Sequence, residues 1–437
     1  MKKPEGFKGF TVMSIGQIIS MVGSSMTSFG LSIWIWQKTG NATPFSIITT
    51  AYFVPNLIFS PIAGALVDRW PRKRSLILPD VAAGIVTIAM LFLLAINRLE
   101  LWFIYIAVFI EGIFNAFQWP AYSVTISVML KKEDYGRANG LFQMTEYAPL
   151  VLAPLVAGFL IGVIGLKGIM AIDIITFVLA VIAVLWVTIP ENIAASTKPQ
   201  VSLFKDSIFG FKYILQRKPL LLLLTVFLLT NFFGGFINTL FAPMILSKVQ
   251  NSSVLFGIIQ TFFGVGGILG GLLMTIWGGT KKKIKSLLFG ILLSGVGMTM
   301  VGFTRNVIIL CLAALILTIS SVIANSSNQA IWQSKVKPEL QGRVFAARRV
   351  IAQLVGVIPM IASGPIVDHL LGPFVDYKIV LNALFGIEKA GAMSMIAAIS
   401  GILTVIMILI FYSVPMLMHV EDYEFVEAPA PSEVAKE

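Results

Sequence analysis

The chain has 437 residues, of which 57% are hydrophobic and only 12% charged, with a formal charge of +11. A soluble domain carries roughly 25% charged residues, so this composition excludes an ordinary soluble fold. Two histidines and one cysteine, Cys311, leave no disulfide framework and no metal or nucleophile–base cluster, so an enzyme is not expected.

Apolar runs fall at roughly 10–36, 44–66, 75–96, 101–129, 140–166 and 169–189. After a polar interval they resume near 219–246, 254–278, 284–303, 306–333, 344–369 and 391–418. Each is long enough to cross a bilayer as a helix, which takes about 20 apolar residues. The runs are continuous rather than alternating, so helices satisfy the backbone in lipid and a barrel does not. The first run is too long for the core of a cleaved signal. The expectation is an all-α polytopic membrane protein of about twelve transmembrane helices.

Sorting Lys and Arg between alternate loops puts 25 on one side and 7 on the other. Cations collect in cytoplasmic loops, which also accounts for the net charge without invoking nucleic acid. Both termini are therefore expected in the cytoplasm.

The two sets of six runs repeat. Lys131-Lys132-Glu133-Asp134-Tyr135-Gly136-Arg137 matches Lys337-Pro338-Glu339-Leu340-Gln341-Gly342-Arg343 at an offset of 206, and that offset also lays Gly64 on Gly270 and Gly158 on Gly364. The chain then divides into a six-helix half at 1–190, a linker at 191–218, a second six-helix half at 219–420 and an acidic, disordered tail at 421–437. In the linker, Phe204, Ile208, Phe211 and Leu215 recur at helical spacing, as in a helix lying on the inner leaflet.

The turn between the second and third runs reads Gly64-x-Leu66-x-Asp68-Arg69-x-x-Arg72-Lys73. It resembles the signature of the major facilitator superfamily. Gly16-Gln17-Ile18-Ile19-Ser20, Thr39-Gly40-Asn41-Ala42 and Ala171-Ile172-Asp173 are similar to the macrolide-efflux and enterobactin-exporter-like branch of bacterial drug exporters. That resemblance implies two pseudo-symmetric halves and alternating access, with bulky amphipathic molecules leaving as protons enter. Departures are Pro71 in place of glycine, Glu111 where antiporters often carry Arg, and Ala153-Pro154-x-x-x-Gly158 for the usual Gly-Pro motif. The signature residues Gly64, Asp68, Arg69 and Arg72 are expected to form a gate, with Asp68 directed at the first turn of the eleventh helix.

Carboxylates inside membrane helices are costly and usually face a wet interior. Glu111, Glu146 and Asp173 are therefore the candidates for proton coupling or substrate contact, with Asp80 and Asp368 nearer the span ends. For Glu111 the plain alternative is a packing role, for Glu146 a place at the cytoplasmic edge, and for Asp173 the fixing of a helix end. The second half offers amides in place of acids, Asn231, Asn238 and Asn328 among them. Trp34, Phe114, Phe117, Gln118, Trp119 and Tyr122 supply the adaptable apolar surface of a substrate cavity, together with Asn231 and Asn328. The glycine-rich run at 264–271 lacks a following Lys-Ser/Thr and is read as close helix packing. No cofactor is implied. The expected partners are an amphipathic small molecule, protons and the lipid bilayer, with the chain working as a monomer and binding no nucleic acid. Alternatives to drug export are export of a native metabolite such as a siderophore or lipid, and a non-transporting sensor or scaffold on the same fold.

Overall fold

The computed structural model describes residues 4–131, 134–190, 203–373, 384–385 and 388–423, and among them the regular elements are all helical. In chain order these are α1 (Gly6–Thr39), α2 (Thr43–Arg69), α3 (Arg72–Ala95), α4 (Leu101–Met129) and α5 (Tyr135–Trp186). Then come α6 (Leu203–Leu215), α7 (Lys218–Lys248), α8 (Ser253–Trp277), α9 (Lys283–Phe303), α10 (Val307–Lys335) and α11 (Pro338–Pro365). A π-helical turn (Ile366–Leu371), α12 (Glu388–Tyr412) and the short α13 (Pro415–Met418) complete the set.

Local chemistry sets several of these boundaries. Gly40 closes α1 in the left-handed region (φ 58), as Gly278 closes α8 (φ 65). Ser252 and Asn306 cap α8 and α10 by accepting from backbone N–H groups of the first turn. Gly165, at φ 65 and ψ −178, breaks α5 into two limbs, a backbone state open to glycine alone. Ten helical stretches are long and apolar enough to cross a membrane, one of them holding both α5 limbs. Counting those limbs separately and adding α2 gives the expected twelve.

The helix pairings repeat between halves. α2 packs on α4 as α8 packs on α10, and α3 packs on α4 as α9 packs on α10. Across the halves α5 meets α8 as α11 meets α2. The repeated pair Gly158 and Gly364 lies in these two seams: a Cβ on Gly158 would sit 2.9 Å from the Ser253 carbonyl, and one on Gly364 would sit 2.5 Å from Thr43 Cα. The internal repeat read from sequence is thus a repeat of packing surfaces.

The apolar cores are arranged differently at the two ends. At the cation-rich end each half has its own core. One gathers Phe10, Val67, Leu76, Ile126 and Val184; the other gathers Leu220, Ile284, Trp332, Val344 and Ile408. At the cation-poor end one core joins the halves, with Phe29 of α1 stacked on Phe256 of α8 at 4.8 Å, beside a smaller core of the first half around Ile35, Phe45 and Leu99.

Two expectations about the flanking segments are refined. Helix α6 exists, and it packs on α7 and α11 through Tyr213 and Ile214, while Phe211 (46% exposed) and Leu215 (52%) face outward. Phe204 and Ile208 have side chains outside the described residues. The tail is expected to be disordered from 421, yet its first residues are docked. Glu421 caps α9 by accepting from Ile284 N (3.0 Å), and Asp422 pairs with Lys282 at 2.7 Å. The Lys282 hydrogen bond holds the Asp422 carboxyl below its usual range. Opposite charges in the loop before α9, together with the unsatisfied N–H groups of that helix, explain why an acidic run docks there.

Candidate functional site

A cavity of about 640 Å³ lies mainly within the first half, between α1, α2, α3, α4 and the second limb of α5. Helix α7 closes one side through Asn238 and Thr239, and Met360 of α11 reaches it from the second half. Three carboxylates line it, Asp80, Glu111 and Asp173, and no Lys, Arg or His stands among its lining residues. The volume falls within the range of small-molecule sites, about 300–1,000 Å³.

The three acids differ in how they are held. Asp173 is 2% exposed and both its oxygens are bonded: Ser24 Oγ of α1 donates to Oδ1 (2.9 Å) and Thr87 Oγ1 of α3 to Oδ2 (3.3 Å). It ties three helices together rather than fixing the end of its own. Asp80 is 5% exposed, and Gln17 Nε2 of α1 donates to its Oδ1 (2.9 Å), while its Oδ2 is buried with no hydrogen-bond partner among the described residues. Glu111 is half-buried on the cavity wall, and no described group hydrogen-bonds to it.

Of the other predicted residues, Phe114 and Gln118 line the cavity. Gln118 ends an amide chain in which Asn56 donates to Asn115 and Asn115 donates to Gln118, each at 3.0 Å. Phe117 and Tyr122 lie instead in the apolar core at the cation-rich end, where Phe117 stacks on Trp70 at 5.8 Å. Trp34 packs in a separate core beneath Lys38, whose Nζ is 4.6 Å from the ring centroid. Asn231 and the buried Asn328 are not on the cavity wall; Asn238, about two turns further along α7, is. The backbones of Gly64, Asp68, Arg69 and Arg72 belong to α2 and α3. Their side chains, with those of Trp119 and Glu146, lie outside the described residues.

Hydropathy marks Asp80 only as an acid toward one end of its span, singles out neither Gln17 nor Asn115, and gives Asp368 no task. It locates a run but not which face of the run turns inward. A Gln in an apolar helix is the one available signal for the pair of Gln17 and Asp80.

The cation-poor end is closed over the cavity by bonds between the halves. Helix α2 has no capping side chain of its own, since Ala42 stands at its N-cap. Asp368, carried on the π-helical turn that follows Pro365, supplies the cap from the other half. Its carboxylate accepts from Ala42 N (3.1 Å), Thr43 N (2.7 Å) and Thr43 Oγ1 (2.5 Å). Lys389 stands 3.8 Å from the same carboxylate and donates to Asn41. Ser46 bonds Ser363 (3.0 Å) and accepts from Gly364 N (2.7 Å), and Trp36 Nε1 donates to Asn251 (2.7 Å). A carboxylate at a helix N-terminus meets both unsatisfied N–H groups and the favourable end of the dipole.

Two repeated six-helix halves sharing a polar cavity form the architecture of a secondary transporter. The profile of the Major Facilitator Superfamily matches residues 13–360. The chain belongs to that superfamily. It is 29% identical over 370 residues to macrolide efflux protein A of Streptococcus pyogenes, covering 83% of this chain and 90% of that protein. It is 24% identical over 351 residues to the staphyloferrin A transporter of Staphylococcus aureus, covering 78% and 84%. Among solved structures, a bacterial homologue of the human lysosomal transporter Spinster, in an inward-facing and unoccupied conformation, superposes with a TM-score of 0.67. That pair covers 95% of this chain and 96% of the other at 14% identity, a likeness of fold.

Proposed function

We propose that this chain exports amphipathic, positively charged small molecules, macrolides among them, across the bacterial cytoplasmic membrane by alternating access. The observation that carries the reading is the cavity. Its wall mixes apolar and aromatic side chains with three carboxylates and no cation among its lining residues. Such a surface favours a large apolar solute bearing an amine, while an anionic metabolite would meet like charge. Similarity to macrolide efflux protein A supports the same class.

The cation-rich end is cytoplasmic in this reading, so substrate enters the cavity from within the cell. Protons entering from outside drive export through the cavity carboxylates. When the cytoplasmic end closes, the signature Gly64, Asp68, Arg69 and Arg72 latches it, Asp68 facing the first turn of α11 near Val344. The chain acts as a monomer.

Expression in a drug-hypersensitive bacterium tests this. Resistance to a macrolide such as erythromycin should rise several-fold, and accumulation of the drug should fall in energised cells only. Unchanged susceptibility across macrolides and other cationic amphiphiles, with the protein confirmed in the membrane, would contradict the reading.

A further inference from the structure

The cavity acids are not equivalent, and their differences divide the work of transport. Asp173 has both oxygens bonded to hydroxyls of neighbouring helices, so it holds α1, α3 and α5 in register. Glu111 stands on the wall with no described hydrogen-bond partner, accessible to whatever fills the cavity. Asp80 is the intermediate case. Its residue is 5% exposed, one oxygen is held by Gln17, and the other is buried and bonded to nothing among the described residues.

A buried carboxylate oxygen without a partner is expensive in its charged form. Among the described residues no counter-ion offsets it. Gln17 of α1 bonds it, Tyr122 of α4 lies within electrostatic reach of it, and Glu111 of α4 and Asp173 of α5 line the same cavity, none of them a cation. The oxygen also has almost no accessible surface, so a bulky ammonium group cannot reach it, whereas a proton can. Glu111 is placed the other way round, open to a substrate amine.

We infer that Asp80 is the proton-carrying residue of the exporter and that Glu111 is the residue that meets the substrate's positive charge, with Gln17 positioning Asp80. This rests on the exporter reading and refines it. The step is a single proton binding to Asp80 Oδ2 and leaving again, so that binding of a cationic substrate at Glu111 favours release of the proton from Asp80 and the reverse.

Purified wild type, Asp80→Asn and Glu111→Gln are compared with erythromycin as the probe, in detergent and in proteoliposomes. The readouts are proton release on erythromycin binding in weak buffer, accumulation driven by a pH gradient, and erythromycin exchange at equal pH, which needs no net proton movement. Asp80→Asn should exchange erythromycin within about twofold of wild type, yet release no proton and lose gradient-driven accumulation. Glu111→Gln should bind erythromycin about tenfold more weakly but still release a proton at saturation. Asp80→Asn that keeps proton release and accumulation overturns the assignment, as does one that loses exchange along with both. Should Asp80→Asn fail to reach the membrane, Gln17→Ala decides: it should displace the pH profile of accumulation while exchange persists, and an unmoved profile overturns the assignment. A wild type that neither binds nor exchanges erythromycin overturns the exporter reading and this assignment with it.

Discussion

The two ends of this bundle are built from repeated helices and joined in opposite ways. At the cation-poor end one apolar core runs through both halves, and Asp368 of the second half caps a helix of the first. At the cation-rich end each half keeps a core to itself. A fold whose halves are fused at one end and separate at the other is poised to rock between two closures. The seams at the fused end differ as well. Where α5 meets α8, glycines let backbones touch: a Cβ on Gly257 would lie 2.3 Å from the Pro154 carbonyl. Where α11 meets α2, the contact is polar and charge-assisted. The lesson is that duplication copied the packing surface, while the lock exists in one copy only, because the position matching Asp368 at the repeat offset is Gly162.

Breaking the backbone seam should have the largest effect. Gly257→Val inserts a branched side chain where no Cβ fits, and overpacking of this kind costs about 1–3 kcal/mol or more. Loss of macrolide resistance with a shifted gel-filtration profile is expected; a variant with full resistance would show the seam to be loose. Next comes the lock. Asp368→Ala removes the cap of α2 and should cost about 1–2 kcal/mol, lowering the closed-to-open ratio at the cation-poor end roughly tenfold. Spin-label distances between α2 and α11 at that end read this directly, and an unchanged distribution would remove the lock from the account.

Smaller effects test how far the charge matters. Lys389 is about one-third exposed, so Lys389→Gln should weaken the lock by about 0.5 kcal/mol or less, seen as a slight shift in the same distribution. The least effect is expected at Thr261. Its hydroxyl donates across the α5–α8 seam to Val151 O at 3.3 Å but also to Gly257 O of its own helix at 2.8 Å. Thr261→Val should leave transport near wild type, and a large loss would mean that the backbone seam is also held by hydrogen bonds.

Much of the fold is legible in the amino-acid sequence. Span number, the duplication and the sorting of the cations follow from run length, offset and charge, because lipid constrains composition strongly. The site is legible only in part. Glu111 and Asp173 stand out because acids are rare in apolar helices. Asp80 does not, because it stands toward one end of its span and hydropathy does not show that it lies on the inward face of α3. Aromatic content cannot separate Phe114, on the cavity wall, from Phe117 and Tyr122, in the core, since all belong to one helix. Asp368 joins Thr43 across 325 residues of chain, a pairing that no local pattern signals.

The most direct test of alternating access places one spin-label pair across the α2–α11 seam at the cation-poor end and another between the separate cores at the cation-rich end. In nanodiscs without substrate, the account predicts short distances at the first and long ones at the second. A fraction of molecules should show the reverse pattern when erythromycin and pH are varied. Distances at both ends that stay fixed under every condition would contradict it.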